Sequence, residues 1–125
     1  ACEKGGQWER ALHLKDQMRD RGLAPNLVTY NALLSACKSG AQCDTALALF
    51  DEMQERGLTP DLITFNTLIA ATVKGRRCDA ALELFAELQR RNLTPDVITY
   101  STTMWGCAKD GRSDKTFELF DELQQ

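Results

Sequence analysis

The sequence predicts an all-α, right-handed solenoid of stacked helix-turn-helix hairpins, on three observations. Pro25, Pro60 and Pro95 recur at a spacing of 35 residues. Each is followed by a polar residue, an aliphatic pair, a threonine, an aromatic and a small polar residue, as in Pro60-Asp61-Leu62-Ile63-Thr64-Phe65-Asn66. Between the prolines, apolar residues fall at helical spacing, and no stretch shows the sustained alternation of a strand. A fixed period of this size marks an array in which each unit buries its apolar face against its neighbours. The handedness, with the first helix of each hairpin on the concave side, follows by analogy with other helical solenoids.

The elements follow in order. Residues 3–18 form the remaining helix of a partial first hairpin, with Ala11, Leu12, Leu14 and Met18 on its apolar face and Arg21-Gly22 after it. Lys15 stands in the column that Phe50, Phe85 and Phe120 fill elsewhere, which suits an end position with less to bury. Tyr30, Leu33, Leu34 and Cys37 then repeat at i, i+3, i+4 and i+7, predicting a helix over 29–38 that Thr29 or its neighbours cap and Gly40 ends. Asp44 offers a cap for a helix over 43–56, whose face is Ala46, Leu47, Leu49, Phe50 and Met53, with Gly57 as a left-handed terminator. The next unit copies this over 64–73 and 78–91, with Phe65, Leu68, Ile69 and Thr72, then Ala81, Leu82, Leu84, Phe85 and Leu88. Asn92 replaces the terminating glycine. The last unit places Tyr100, Met104 and Cys107 on 99–108 and Thr116, Phe117, Leu119, Phe120 and Leu123 on 113–124.

Composition narrows the function. The chain has 125 residues, 43% hydrophobic and 26% charged, as a folded domain does. A net charge of −3 gives no general attraction to nucleic acid, so any such binding relies on local geometry. No apolar run is long enough to span a bilayer, and no targeting segment is visible. The chain begins inside one unit and stops inside another, which reads as a piece of a longer array. The five cysteines dissolve into columns: Cys2, Cys37 and Cys107 in one, Cys43 and Cys78 in another. They read as small buried hydrophobes in a reducing compartment, with no paired motif for a metal. His13 is the only histidine, there is no phosphate-binding loop, and neither an enzyme nor a cofactor is expected.

Three columns are left over from packing. Asn31, Asn66 and Ser101 lie near the start of each first helix, where Asn competes with the backbone unless it caps or makes a turn. Asn26, Asp61 and Asp96 follow the prolines, where turn chemistry alone accounts for them. Val28, Ile63 and Ile98 come two residues later, where an aliphatic side chain ordinarily serves as a staple.

The combined pattern of hydrophobic-Thr-Tyr/Phe-Asn-x-Leu-Ile, Ala-Leu-x-Leu-Phe-x-Glu-Met and Arg-Gly-Leu-x-Pro-Asp resembles the pentatricopeptide repeat family. The resemblance covers the whole chain, as a partial repeat 1–26, repeats 27–61 and 62–96, and a truncated repeat 97–125. Tetratricopeptide repeats differ in period and lack these motifs. The resemblance implies sequence-selective single-stranded RNA binding at one base per repeat, in organellar (mitochondrial or chloroplast) RNA processing, stability, editing or translation. It implies that Asn31, Asn66 and Ser101, with the last-position residues Asn26, Asp61 and Asp96, select bases, and that Val28, Ile63 and Ile98 pack on base faces. It further implies phosphate contacts from the thirteenth-position column of Lys4, Lys74 and Lys109, with Lys38 one residue early in its repeat; solvated surface lysines are the alternative. Asn31/Asp61 and Asn66/Asp96 are each expected to favour U, and Ser101 a purine, giving a core register of U-U-purine. The competing expectation is a scaffold that binds protein partners in a large assembly, and stacking of fragments end to end is a further one.

Overall fold

The computed structural model describes residues 3–39 and 43–124, with no account of the side chains of 3–8, 39 and 113. Among the described residues there are seven helices and no strand: α1 (Glu3–Asp20), α2 (Leu27–Ser39), α3 (Cys43–Glu55), α4 (Leu62–Lys74), α5 (Cys78–Arg90), α6 (Val97–Lys109) and α7 (Ser113–Gln124). Helices α2, α4 and α6 pack side by side in an inner row. The outer helices α3 and α5 each pack on their own hairpin partner and on the next inner helix, and one outer helix meets another through long side chains, as Lys15 of α1 meets Glu52 of α3. This is the all-α solenoid the sequence predicts, and its inner row presents one continuous face.

The inner helices begin two residues earlier than expected. Asp61 and Asp96, not the threonines, are the N-caps of α4 and α6. Each has extended backbone, with φ of −112° and −107°, and each carboxylate accepts from the backbone N–H three residues on. Thr64 and Thr99 close the capping box from the other side, accepting from the Asp N–H groups at 3.3 and 3.2 Å. Asn26 accepts from the Thr29 N–H at 3.0 Å in the same way. An Asx side chain reaches the N3 amide better than Thr does, and the turn after the proline already holds it extended. Asp44 is likewise not a cap: α3 starts at Cys43, and Asp44 sits in its first turn, paired with Arg77 at 2.8 Å. Gly40 and Cys2 lie outside the described residues. The left-handed terminators are as expected, with φ of +82° at Gly57 and +64° at Asn92.

The core runs down the array as repeated contacts. The Phe50 ring meets Phe65 edge-on at 5.4 Å, and Phe85 meets Tyr100 at 5.0 Å. Each pair links an outer helix to the following inner helix. Lys15 occupies the same contact, and the expectation that it marks a less buried site is corrected: it is 8% exposed. Its ammonium lies 6.0 Å from the centre of the Tyr30 ring and donates to both oxygens of Glu52, at 2.8 and 3.1 Å. The Tyr30 hydroxyl donates to the same carboxylate at 2.5 Å. The charge therefore stays buried because one acid satisfies two donors. Phe120, in the same column, is half exposed. Cys37, Cys43, Cys78 and Cys107 are free and buried, and burial pushes the Cys37 thiol up to about 11.

Gly106 sets how closely α6 approaches α4. A Cβ there would lie 2.5 Å from Val73 Cγ2 and 3.1 Å from Cγ1, and valine has little rotameric freedom in a helix. Gly106→Ala is expected to lower stability by about 1–3 kcal/mol through overpacking. In a Val73→Ala background the same change should be neutral or stabilising, because alanine is the better helix former. Urea denaturation of the four variants checks this; equal effects in both backgrounds would mean that the helices do not meet at this glycine.

Candidate nucleic-acid interface

The three leftover columns come together on the inner row. Val28, Ile63 and Ile98 project from the first turns of α2, α4 and α6 and are 74, 63 and 61% exposed. A staple is buried, so these positions are not staples. They form an apolar line on the surface, spaced by one inner helix each.

Beside this line, the fifth residue of one repeat meets the last residue of that repeat and the third residue of the next. Asn31 donates from Nδ2 toward Asp61 Oδ1 at 3.5 Å, and its Oδ1 accepts from the Thr64 hydroxyl at 2.6 Å. Asn66 repeats the arrangement with Asp96 at 3.4 Å and Thr99 at 2.5 Å. The recurrence has a covalent cause: the last residue of one repeat caps the next inner helix, so the cap places its carboxylate against the preceding asparagine. Burial pulls the Asp61 carboxyl upward, but bonds from the Thr64 N–H, the Thr64 hydroxyl and Asn31 outweigh it and hold the pKa below the usual carboxylate range. Asp96 is held low first by the Thr99 N–H and then by the Thr99 hydroxyl. Both acids are therefore charged at neutral pH. The two asparagines are half-buried, with part of each amide edge left for a ligand. Ser101 is exposed on α6, and Asn26 is exposed before α2.

The lysine column is less uniform. Lys74 and Lys109 are exposed in the last turns of α4 and α6, while Lys38 is half-buried. The side chain of Lys4 lies outside the described residues. Lys109 Nζ stands 4.6 Å above the ring of Trp105, which is 52% exposed one turn beyond Ser101. Trp105 has Ala70 and Ser35 in its column, so periodicity could not single it out. Thr64 and Thr99 complete the arrangement; the repeated Thr before each aromatic marks their column in the sequence, but its place against the asparagine depends on a contact between repeats. His13 is exposed and 3.4 Å from Gln17. Among the described residues no group of three or more His, Cys, Asp or Glu side chains is placed to hold a metal ion, and no helix is long and apolar enough to cross a membrane.

Comparison with known proteins bears on this geometry. Residues 13–76 match the pentatricopeptide repeat domain, residues 60–109 the PPR repeat family, and residues 1–23 and 98–125 the PPR repeat. No curated protein matches the sequence. Among solved structures, the maize pentatricopeptide repeat protein PPR10 superposes with a TM-score of 0.85 at 35% identity over 97% of this chain. The chain spans only 17% of that protein's length. PPR10 in complex with an 18-nt psaJ RNA element superposes at 0.78, with 29% identity over 86% of this chain and 16% of that one. The PPR domain of Arabidopsis thaliana protein-only RNase P 1, in complex with tRNA, shares the fold, with a TM-score of 0.81 and 23% identity over 98% of this chain and 65% of that one.

Proposed function

Because this chain belongs to the pentatricopeptide repeat family, we propose that its inner face binds single-stranded RNA and reads one base per repeat. The observation that carries this reading is the pairing of Asn31 with Asp61 and of Asn66 with Asp96, each beside an exposed aliphatic residue. An amide edge supplies a donor and an acceptor to a pyrimidine, and an apolar neighbour excludes water from the base. Asn31/Asp61 and Asn66/Asp96 each favour U, and Ser101 favours a purine, so the core register is U-U-purine from the 5′ end. Asn26 contributes to the base of the preceding repeat. Lys74 and Lys109, with Lys38 and Lys4, meet the phosphates and offset the net acidity locally. The chain acts as a binding module rather than an enzyme, in the mitochondrial or plastid RNA metabolism that the family resemblance implies.

The test is a change of code. Asn66→Ser, leaving Asp96 in place, should move the preference at the second base from U toward G. The swap is worth about 1–3 kcal/mol, the cost of an unpaired buried polar group. Fluorescence anisotropy with short RNAs that differ at that base, at low salt, measures it. Unchanged preference for U would return Asn66 to a helix-start role. Equal, undetectable binding of U-, A- and C-rich RNA by a helical, folded sample would favour the protein scaffold, which the net charge of −3 suits.

A further inference from the structure

We propose that Thr64 and Thr99 are positioning residues for base selection, each locking the asparagine amide of the preceding repeat in the one orientation that separates uracil from cytosine. The inference rests on the reading that Asn31 and Asn66 touch bases.

Both hydroxyls are fully buried, and both sit among the same partners. Thr64 Oγ1 accepts from the Asp61 N–H at 3.3 Å, which directs its own proton away from the backbone. Two acceptors face that proton: Asn31 Oδ1 at 2.6 Å and Asp61 Oδ1 at 2.8 Å. Asp61 Oδ1 already receives the Thr64 N–H at 3.0 Å and is approached by Asn31 Nδ2. The asparagine oxygen is the nearer and less occupied acceptor. In the next repeat the distances are 3.2, 2.5 and 2.8 Å, with the Thr99 N–H at 2.9 Å from Asp96. Turning the amide over would set its oxygen against a carboxylate and lose the shorter of the two hydroxyl bonds, leaving that proton to the acid alone. Acid and hydroxyl thus fix the two ends of the amide in opposite senses.

The consequence is chemical. One N–H and one oxygen lone pair of each asparagine remain for a base. Uracil offers an acceptor at C4 beside a donor at N3; cytosine offers a donor at C4 beside an acceptor at N3. The two pyrimidines have reversed polarity along the same edge. An amide of fixed polarity suits one of them, whereas an amide that turns over suits both. The hydroxyl, together with the acid, therefore governs U against C and leaves the choice of pyrimidine over purine to the asparagine itself.

The test uses the 125-residue chain, its Thr99→Val and Thr99→Ser variants, and Asn66→Ser as the control for the underlying reading. Labelled single strands carry U-U-A, U-C-A, U-A-A or C-U-A between identical flanks, and anisotropy at low salt gives the affinity ratios. In Thr99→Val the U-over-C ratio at the second base should fall roughly five- to tenfold, the loss of one hydrogen bond's selectivity. The U-over-A ratio, and the preference at the first base read by Asn31, should persist. Thr99→Ser should behave as the parent. A merely structural role would weaken all RNAs alike, and that outcome overturns the inference. So does an unchanged U-over-C ratio in Thr99→Val alongside a shifted preference in Asn66→Ser. If Asn66→Ser also changes nothing, or the parent shows no base preference, the base-contact reading fails and takes the inference with it. Side-chain amide NMR gives an RNA-free readout: the Asn66 NH2 signals should move toward freely rotating values in Thr99→Val and not in Thr99→Ser. Signals that stay put would refute the lock.

Discussion

Phe85→Ala is expected to lower the stability of this chain by about 3–5 kcal/mol, the cost of emptying a buried aromatic site. Phe85 is 3% exposed and packs edge-on against Tyr100, so the side chain joins the outer helix of one repeat to the inner helix of the next. In an array each interface is held mainly by its two neighbours, so the loss is concentrated between α5 and α6. Chemical denaturation reads the effect. A midpoint equal to the parent's would show that the ring is not buried between the two repeats. Phe120→Ala should cost much less, because that member of the column is 45% exposed.

Glu52→Ala is the second large effect. It leaves the Lys15 ammonium and the Tyr30 hydroxyl without their shared acceptor. Removing one partner of a buried pair strands the other; with Glu52 itself 31% exposed, a loss of about 2–3 kcal/mol is expected. Lys15→Met in the same background should recover most of it, since no buried charge then remains. Acid gives an independent check. Burial raises the Glu52 carboxyl, but Lys15 and Tyr30 more than compensate and hold it below its ordinary 4.5. A depressed pKa stabilises the fold fully above the unfolded value and loses that contribution as pH falls through the folded value. The gap between parent and Glu52→Gln should therefore be widest near neutral pH and close below pH 4.5. A gap independent of pH would refute the ion pair.

The repeat columns were legible because every unit solves the same burial problem against its neighbours. Phe50, Phe85, Leu68 and Leu88 could be placed in the core without any tertiary information, and so could the left-handed ends at Gly57 and Asn92. Lys15 could not, because what keeps it buried is an acid 37 positions away on another helix. The cap was ambiguous for a different reason. Asx and Thr stand three apart at the start of each inner helix, and either is a competent cap; the choice depends on backbone angles at the Asx. The aliphatic column was ambiguous until the exposed face of the inner row was known. Of the site, the asparagine and aspartate columns could be read from the sequence, but the hydroxyl linking them could not. Its role depends on a contact across the boundary between two repeats.

If the inner face reads bases as proposed, that boundary also limits how such a chain can change its ligand over evolutionary time. The last residue of each repeat caps the next inner helix through its side chain, as Asp61, Asp96 and Asn26 all do. A substitution that rewrites recognition at this position is tested by folding before it is tested by RNA. Asn, Asp, Ser and Thr retain capping ability, whereas an aliphatic replacement forfeits about 1 kcal/mol at every site where it occurs. In a long array those losses accumulate at successive interfaces. The vocabulary at this position is thus narrowed by helix initiation, and drift among the short polar residues becomes the low-cost path from one specificity to another.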